Sequence, residues 1–115
     1  MYRELQIGKK TIGFLSNGAT PLYYKMLFKK DLLSMVNGTD MEIAQDNIPE
    51  LAFIMAKQAD KADMSKLSFE QYVEWVSLFE ALDLVMAGAE IAGVYIADSI
   101  PMEEPKKKVR GGRKE

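Results

Sequence analysis

The sequence predicts a small, mainly α-helical domain of about four helices with a short β-hairpin at its N-terminus. Apolar residues recur at helical spacing over most of residues 21–36 and 48–95. Near the N-terminus, two short stretches instead alternate apolar and polar residues around a turn. The length of 115 residues and the 48% hydrophobic content suit one domain with its own core. We therefore predict a helical domain over residues 1–100 and a disordered basic tail over residues 101–115.

The hairpin is predicted from the stretches YRELQI and TIGFL, which flank Gly8-Lys9-Lys10. The apolar residues that alternate along the two stretches are Leu5, Ile7, Ile12 and Phe14. Because a two-stranded hairpin alone is only marginally stable, we expect it to pack on the helices.

The first helix is predicted over residues 21–36. Thr20 is a good N-cap residue, and Pro21 suits the first helical position, where its missing N–H costs nothing. Asn37-Gly38 is a helix stop signal. The apolar positions of this helix are Leu22, Met26, Leu27, Leu33 and Val36. The polar residues 39–46 that follow are predicted to form a loop.

The second helix begins after Asn47, which has capping-box spacing with Glu50. Apolar residues lie on one face of this helix, and two further ones widen that face, so the helix is predicted to be nearly central. These residues are Leu51, Ile54, Met55 and Ala59, with Phe53 and Ala56 beside them. The charged residues 60–66 are expected to be an exposed turn.

Ser68 and Gln71 form a second capping-box pair, after which the apolar pattern continues to Tyr95. One face is marked by Phe69, Tyr72, Val73, Val76 and Phe79, and Trp75, Leu78 and Leu82 broaden it. Gly88 and Gly93 weaken so long a helix. We expect either a break near Leu82–Asp83 or close helix packing at Ala87-Gly88-Ala89.

The inventory of reactive side chains argues against an enzyme. The chain has no Cys and no His, which removes thiolate chemistry, the commonest general base and the commonest transition-metal ligands. Gly8-Lys9-Lys10-Thr11 lacks the upstream glycine of a phosphate-binding loop. Paired carboxylates such as Glu70 and Glu74 are expected on solvated surfaces. We predict a non-enzymatic protein without cofactor or metal, and no membrane-spanning or signal segment.

Charge is distributed unevenly along the chain. Residues 1–36 have six basic and two acidic groups, residues 37–104 have three and fourteen, and residues 105–115 have six and one. The acidic middle argues against a domain body that binds nucleic acid. The basic PKKKVR segment has three interpretations: a solubilising tail, a nucleic-acid or import patch, or a contact with the acidic middle of a neighbouring copy.

Eight Met residues raise the possibility of an adaptable binding surface. Met26, Met55 and Met86 fit helix faces and are predicted to lie in the core. The candidate partner contacts are residues at helix ends, in loops or in the tail, namely Met35, Met41, Met64, Lys106, Lys107, Lys108 and Arg110.

Two stretches resemble the tail assembly chaperones of long-tailed phages and prophages of Gram-positive bacteria. They are IGFLSNGATPLYYKMLFKKDLL and ELAFIMAKQADKADMSKLSFEQYVEWVSLFE. The resemblance covers roughly residues 2–36 and 48–82. It rests on the pattern of apolar and small residues, because the family has no catalytic signature and no motif residues with a defined role.

The resemblance implies a helical, non-enzymatic protein of the host bacterial cytoplasm that is absent from the mature virion. It implies binding to the tape-measure protein, which is kept soluble, and recruitment of tail-tube subunits. It also implies a homo-oligomer. Many family members have a longer form made by ribosomal frameshifting, and the Lys106-Lys107-Lys108 run is compatible with a slippery codon stretch. Codons without a slippery heptamer would contradict that idea.

One alternative function remains at this stage, a small nucleic-acid-associated regulatory protein. Its basic footprint would comprise residues 106–114 together with Lys25, Lys29 and Lys30. It predicts binding that weakens steeply with salt. Membrane partners are not expected, and nucleic acid is the less favoured partner.

Overall fold

The computed structural model describes residues 1–31 and 47–99, with side chains described as far as residue 97. This part of the chain contains one antiparallel hairpin and four α-helices, which confirms the predicted mainly α fold. A short 3-10 turn at Met64–Lys66 precedes the third helix. The elements in chain order are β1 (Tyr2–Ile7), β2 (Lys10–Leu15), α1 (Thr20–Phe28), α2 (Ile48–Ala59), α3 (Phe69–Val76) and α4 (Ala81–Ser99).

The hairpin forms as predicted, with Ile7 paired to Lys10 across a two-residue turn. Gly8 occupies the first turn position with φ of 61°, a conformation that glycine adopts at little cost. A Cβ atom at Gly8 would collide with the carboxylate of Asp83 in α4. The turn therefore favours glycine for its backbone conformation, and any larger residue there would also require the Asp83 side chain to move.

Helix α2 is the centre of the fold, as predicted. Eight of its twelve residues are buried, and it packs against β2, α1, α3 and α4. Phe53 is fully buried, and its ring lies 5.6 Å from that of Tyr72 and 5.9 Å from that of Trp75. Full burial of such a side chain stabilises the fold by roughly 1.5–3 kcal/mol.

The start of α2 was predicted correctly, but the predicted capping box does not form. The Asn47 side chain does not cap the helix. Instead Asn47 Oδ1 accepts a hydrogen bond from Lys30 Nζ at 3.2 Å. The Glu50 carboxylate accepts hydrogen bonds from the Tyr24 hydroxyl at 2.6 Å and from Lys30 Nζ at 3.1 Å. Tertiary partners on and after α1 therefore hold both side chains.

Helix α1 is shorter than predicted. It ends at Phe28, because Lys29 adopts a left-handed conformation with φ of 60°. Ala19, not Thr20, is the N-cap residue. The buried Thr20 hydroxyl donates a hydrogen bond of 2.7 Å to Gln58 Oε1, and it accepts one from the Asn17 N–H at 3.0 Å. Gln58 Nε2 in turn donates to Asn17 Oδ1 at 3.1 Å, so this polar cluster fixes α1 to α2.

The Ser68–Gln71 capping box at the start of α3 is confirmed, with both reciprocal hydrogen bonds present. The expected break in the long apolar pattern occurs at residues 77–80, slightly before the predicted position. At this break the Ser77 hydroxyl donates to the Val73 carbonyl at 2.7 Å. Ala87 and Gly88 in α4 are buried, whereas Ala89 of the alternative close-packing prediction is exposed.

Several residues predicted to be buried are exposed. Trp75 turns into the core, whereas Phe69 and Val73 of the predicted inner face of α3 point to solvent. Met55 is buried as predicted, but the core assignments of Met26 and Met86 were wrong. Leu22 and Leu82 are each 68% exposed. The described part of the fold does not cover the outer sides of α1, α3 and α4 where these residues lie.

Candidate binding groove between helices α3 and α4

An open apolar groove of about 360 Å³ lies where α3, α4 and the start of α2 meet. Its lining residues are Ile48, Pro49, Tyr72, Val76, Phe79, Ala81, Leu84, Val85 and Gly88. The Tyr72 hydroxyl is the only polar side-chain group among them. The groove can therefore bind an apolar surface, but it offers no convergent set of groups for acid–base or nucleophilic chemistry.

Helical periodicity builds the two walls. On α3, Tyr72 and Val76 are four residues apart and share a face, and Phe79 follows just after the helix. The α4 wall is formed by residues at positions i, i+3, i+4 and i+7, which are Ala81, Leu84, Val85 and Gly88. Gly88 has no side chain, so backbone forms the α4 wall at that point.

An array of aromatic rings supports the α3 wall from behind. The Trp75 ring lies 4.9 Å from that of Phe79, and the Tyr72 ring lies 5.1 Å from that of Phe28 in α1. Ring pairs at these distances contribute roughly 0.5–1.5 kcal/mol beyond the area they bury. The wall is therefore braced by the core, and the groove exists without a bound partner.

Exposed apolar side chains extend the groove on both sides. Phe69 and Val73, which are 62% and 44% exposed, lie on α3 beside its groove-lining residues. We call these two residues the α3 shoulder. The α4 shoulder comprises Leu82, Val85, Met86 and Ala89, which follow the spacing i, i+3, i+4 and i+7 and are all exposed. Among residues 1–31 and 47–97, ten large hydrophobic residues are exposed, and six of them lie between residues 69 and 86.

Acidic side chains dominate this part of the chain. Residues 67–99 include six Asp or Glu and no Lys or Arg. Glu70 and Glu74 are four residues apart on α3, next to the α3 shoulder, and both are exposed. Asp83 and Glu90 are seven residues apart on α4, next to the α4 shoulder. None of these four carboxylates forms an ion pair within residues 1–31 and 47–97.

Burial raises the pKa of the Tyr72 hydroxyl above its ordinary value, and the nearby negative charge of Glu50 raises it further. Tyr72 therefore stays neutral over the physiological pH range and contributes a ring and a hydroxyl to the groove.

The structure places only one of the predicted contact residues. Met64 lies in the 3-10 turn and is 8% exposed, so little of its side chain is available to a partner. The other predicted contacts, Met35, Met41, Lys106, Lys107, Lys108 and Arg110, lie outside the described residues, as does the predicted tail. Of the basic helix residues, Lys25 and Lys29 are exposed, whereas Lys30 is paired with Glu50 at 3.1 Å.

The sequence analysis did not predict the groove, because the apolar pattern after Ser68 shows which residues share a helix face but not which faces other elements cover. A signal was present in the sequence. Apolar residues occupy most of the circumference of α4, which is more than contact with a single neighbouring surface can bury. A helix of this kind needs a second covering surface.

Two further features bear on ligands and membranes. Within the described residues, no group of three or more Asp, Glu, His or Cys side chains could hold a metal ion. None of the described helices is both long enough and apolar enough to cross a membrane.

Comparison of the chain with protein-family models, with curated proteins and with solved structures gives no match.

Proposed function

We propose that this protein is a non-enzymatic phage tail assembly chaperone that binds the tape-measure protein and keeps it soluble. In this proposal it acts in the host bacterial cytoplasm, helps recruit tail-tube subunits, forms homo-oligomers along the tape measure and is absent from the mature virion. The observation that carries the proposal is the apolar groove between α3 and α4 with its exposed shoulders. The family resemblance supplies the identity of the partner.

The shape and chemistry of the groove suit a helical ligand. An amphipathic helix binds by inserting side chains spaced at i, i+3, i+4 and i+7 into a hydrophobic groove between helices. A tape-measure protein is a long helical chain with apolar stripes that aggregates when left bare. Covering such stripes requires exposed apolar surface on the chaperone and several copies along the length of the partner.

Co-expression tests the proposal. The cognate tape-measure protein is produced with and without this chain, and its soluble fraction is measured. We expect more soluble tape measure with the chain present. Val85→Gln should remove most of that gain, because Val85 lines the groove and is 55% exposed. An exposed position on a helix tolerates this substitution within about 0.5 kcal/mol of stability.

Leu22→Gln is the matched control. Leu22 is also an exposed aliphatic residue on a helix, but it does not line the groove. This variant should solubilise the tape measure as well as the unmodified chain does. The proposal is wrong if the unmodified chain leaves the soluble fraction unchanged. Equal losses for the two variants would place the binding site elsewhere.

A further inference from the structure

We propose that the groove and its two shoulders select amphipathic helices whose apolar face is bordered on both sides by Lys or Arg. This inference rests on the proposed function, because it specifies which segments of a helical partner would be bound. The observation that carries it is the order of residue types around α3 and α4, which is the same on the two helices.

On α3, the order can be followed from the core to solvent. Trp75 faces the core, Tyr72 and Val76 face the groove, and the α3 shoulder comes next. Glu70 and Glu74 lie beyond the shoulder, each one residue along from Phe69 or Val73 and therefore rotated by about 100° around the helix. The carboxylates thus border the shoulder on the side away from the groove.

The same order recurs on α4. Ile91 faces the core, Leu84 and Gly88 line the groove, and the α4 shoulder follows. Asp83 and Glu90 lie beyond the shoulder, each one residue along from Leu82 or Ala89. The apolar surface is therefore bordered by a line of carboxylates on each helix.

The lysines near these carboxylates line hollows that are separate from the groove. Lys57 shares a hollow with Glu74, while Lys9 and Lys10 share one with Asp83. The first of these hollows has no residue in common with the groove, and the second shares only Phe79. None of these lysines comes within ion-pair distance of the carboxylates. Glu70, Glu74 and Glu90 are exposed and form no ion pair within the described residues, so they remain available to a basic partner, whereas the Asp83 carboxylate lies against the hairpin turn.

A helix lying along the groove would place its apolar stripe on the shoulders and its flanking side chains next to the carboxylates. The carboxylates would attract Lys or Arg at those flanking positions. They would repel Asp or Glu, and this repulsion is stronger in a partly desolvated site than in water. Complementary charge of this kind selects among helices that have equally apolar faces.

Peptide binding measures the selection directly. Three labelled peptides of about 18 residues are compared, a length that makes about five helical turns. The first has an apolar stripe bordered by Lys, the second has the same stripe bordered by Glu, and the third is a scrambled form of the first without a stripe. We expect the Lys-bordered peptide to bind about tenfold more tightly than the Glu-bordered peptide at low salt. The preference should shrink as salt is added.

Variants locate the selecting charges. Glu70→Gln combined with Glu74→Gln should lower the preference for the Lys-bordered peptide several-fold while leaving binding through the apolar stripe in place. The control combines Glu4→Gln with Asp60→Asn, which removes the same net charge from exposed positions outside the groove and its borders. The control should keep the full preference.

The outcomes separate this inference from the proposed function. Equal affinity for the Lys- and Glu-bordered peptides, or equal loss of preference in the two charge variants, would overturn the inference. So would tight binding of the scrambled peptide, or self-association of the chain that Val85→Gln abolishes, since a second copy would then fill the groove. If the peptides behave as expected but the tape measure is not solubilised, the proposed function fails and the inference stands.

Discussion

Helices α2 and α4 are both rich in apolar residues, but the fold uses them differently. Eight of the twelve α2 residues are buried by neighbours on every side. In α4, buried positions such as Leu84 and Ile91 alternate with exposed ones such as Val85 and Met86. The difference is the number of covering elements, because the chain folds around α2, whereas the described residues cover only one side of α4. Apolar side chains in α2 should therefore determine stability, and those on the outer side of α4 should determine binding.

The largest expected effect comes from truncating the core at α2. Phe53→Ala removes a fully buried ring that contacts two other rings, so the free energy of unfolding should fall by about 3–5 kcal/mol. Met86→Ala on α4, where the side chain is 75% exposed, should change it by less than about 0.5 kcal/mol. Urea unfolding of both variants measures the difference. Similar losses for the two would show that the outer side of α4 is covered by structure.

The next largest loss of stability is expected from a substitution in the polar cluster that joins α1 to α2. Thr20→Val removes the hydroxyl that donates to the buried Gln58 Oε1, and the unpaired oxygen should cost about 1–3 kcal/mol of stability. Thr11→Val is the control, because Thr11 donates a similar hydrogen bond to Gln6 at the exposed hairpin surface. Thr11→Val should lower the free energy of unfolding much less than Thr20→Val does in the same unfolding experiment. Equal losses would mean that burial does not strengthen the Thr20 hydrogen bond.

The hydroxyl groups of Tyr24 and Tyr95 differ in whether they have a hydrogen-bond partner. The buried Tyr95 hydroxyl of α4 has no hydrogen-bond partner in the described part of the chain, whereas the Tyr24 hydroxyl donates to Glu50 at 2.6 Å. Tyr24→Phe should lower stability by about 1.5–3 kcal/mol, as expected for a hydrogen bond to a charged group. Tyr95→Phe should leave stability unchanged or raise it by about 1 kcal/mol. A loss in Tyr95→Phe would reveal a partner for that hydroxyl.

The smallest effect concerns Tyr72 in the groove wall. Burial, followed by the charge of Glu50, raises the pKa of Tyr72 in the folded chain above its ordinary value of about 10. A raised pKa means that the folded state holds the proton more tightly. The associated stability is therefore fully present below about pH 10 and is lost as the pH rises through the raised pKa. Partial burial and the neighbouring Glu4 carboxylate also raise the pKa of Tyr2. Ultraviolet titration should therefore show one late-titrating tyrosine fewer in Tyr72→Phe than in the unmodified chain.

Local sequence patterns predicted where elements begin better than they predicted which side chains are buried. Ser68–Gln71 and Asn47–Glu50 have the same spacing, and each pair marks a helix start, but only the first forms a capping box. Asn47 and Glu50 instead bind Lys30 and Tyr24, which are far away in the sequence. Spacing along the chain carries no information about such partners.

Burial depends on neighbours in the same way. Met55 and Met86 both fit apolar helix faces, but only Met55 is covered by other elements. Likewise Trp75 points inward, while Phe69 on the same helix points outward. The groove could be predicted only as an excess of apolar surface, because its position depends on how α3 and α4 turn relative to α2.

The most direct test of this account measures stability and binding on the same pair of variants. Val85→Gln in the groove and Leu22→Gln on α1 are each titrated with the Lys-bordered peptide and unfolded in urea. We predict equal unfolding midpoints for the two variants and about tenfold weaker peptide binding for Val85→Gln alone, the loss expected from one buried aliphatic contact. Unchanged binding by Val85→Gln, or weaker binding that is matched by lost stability, would contradict the assignment of this surface to partner binding.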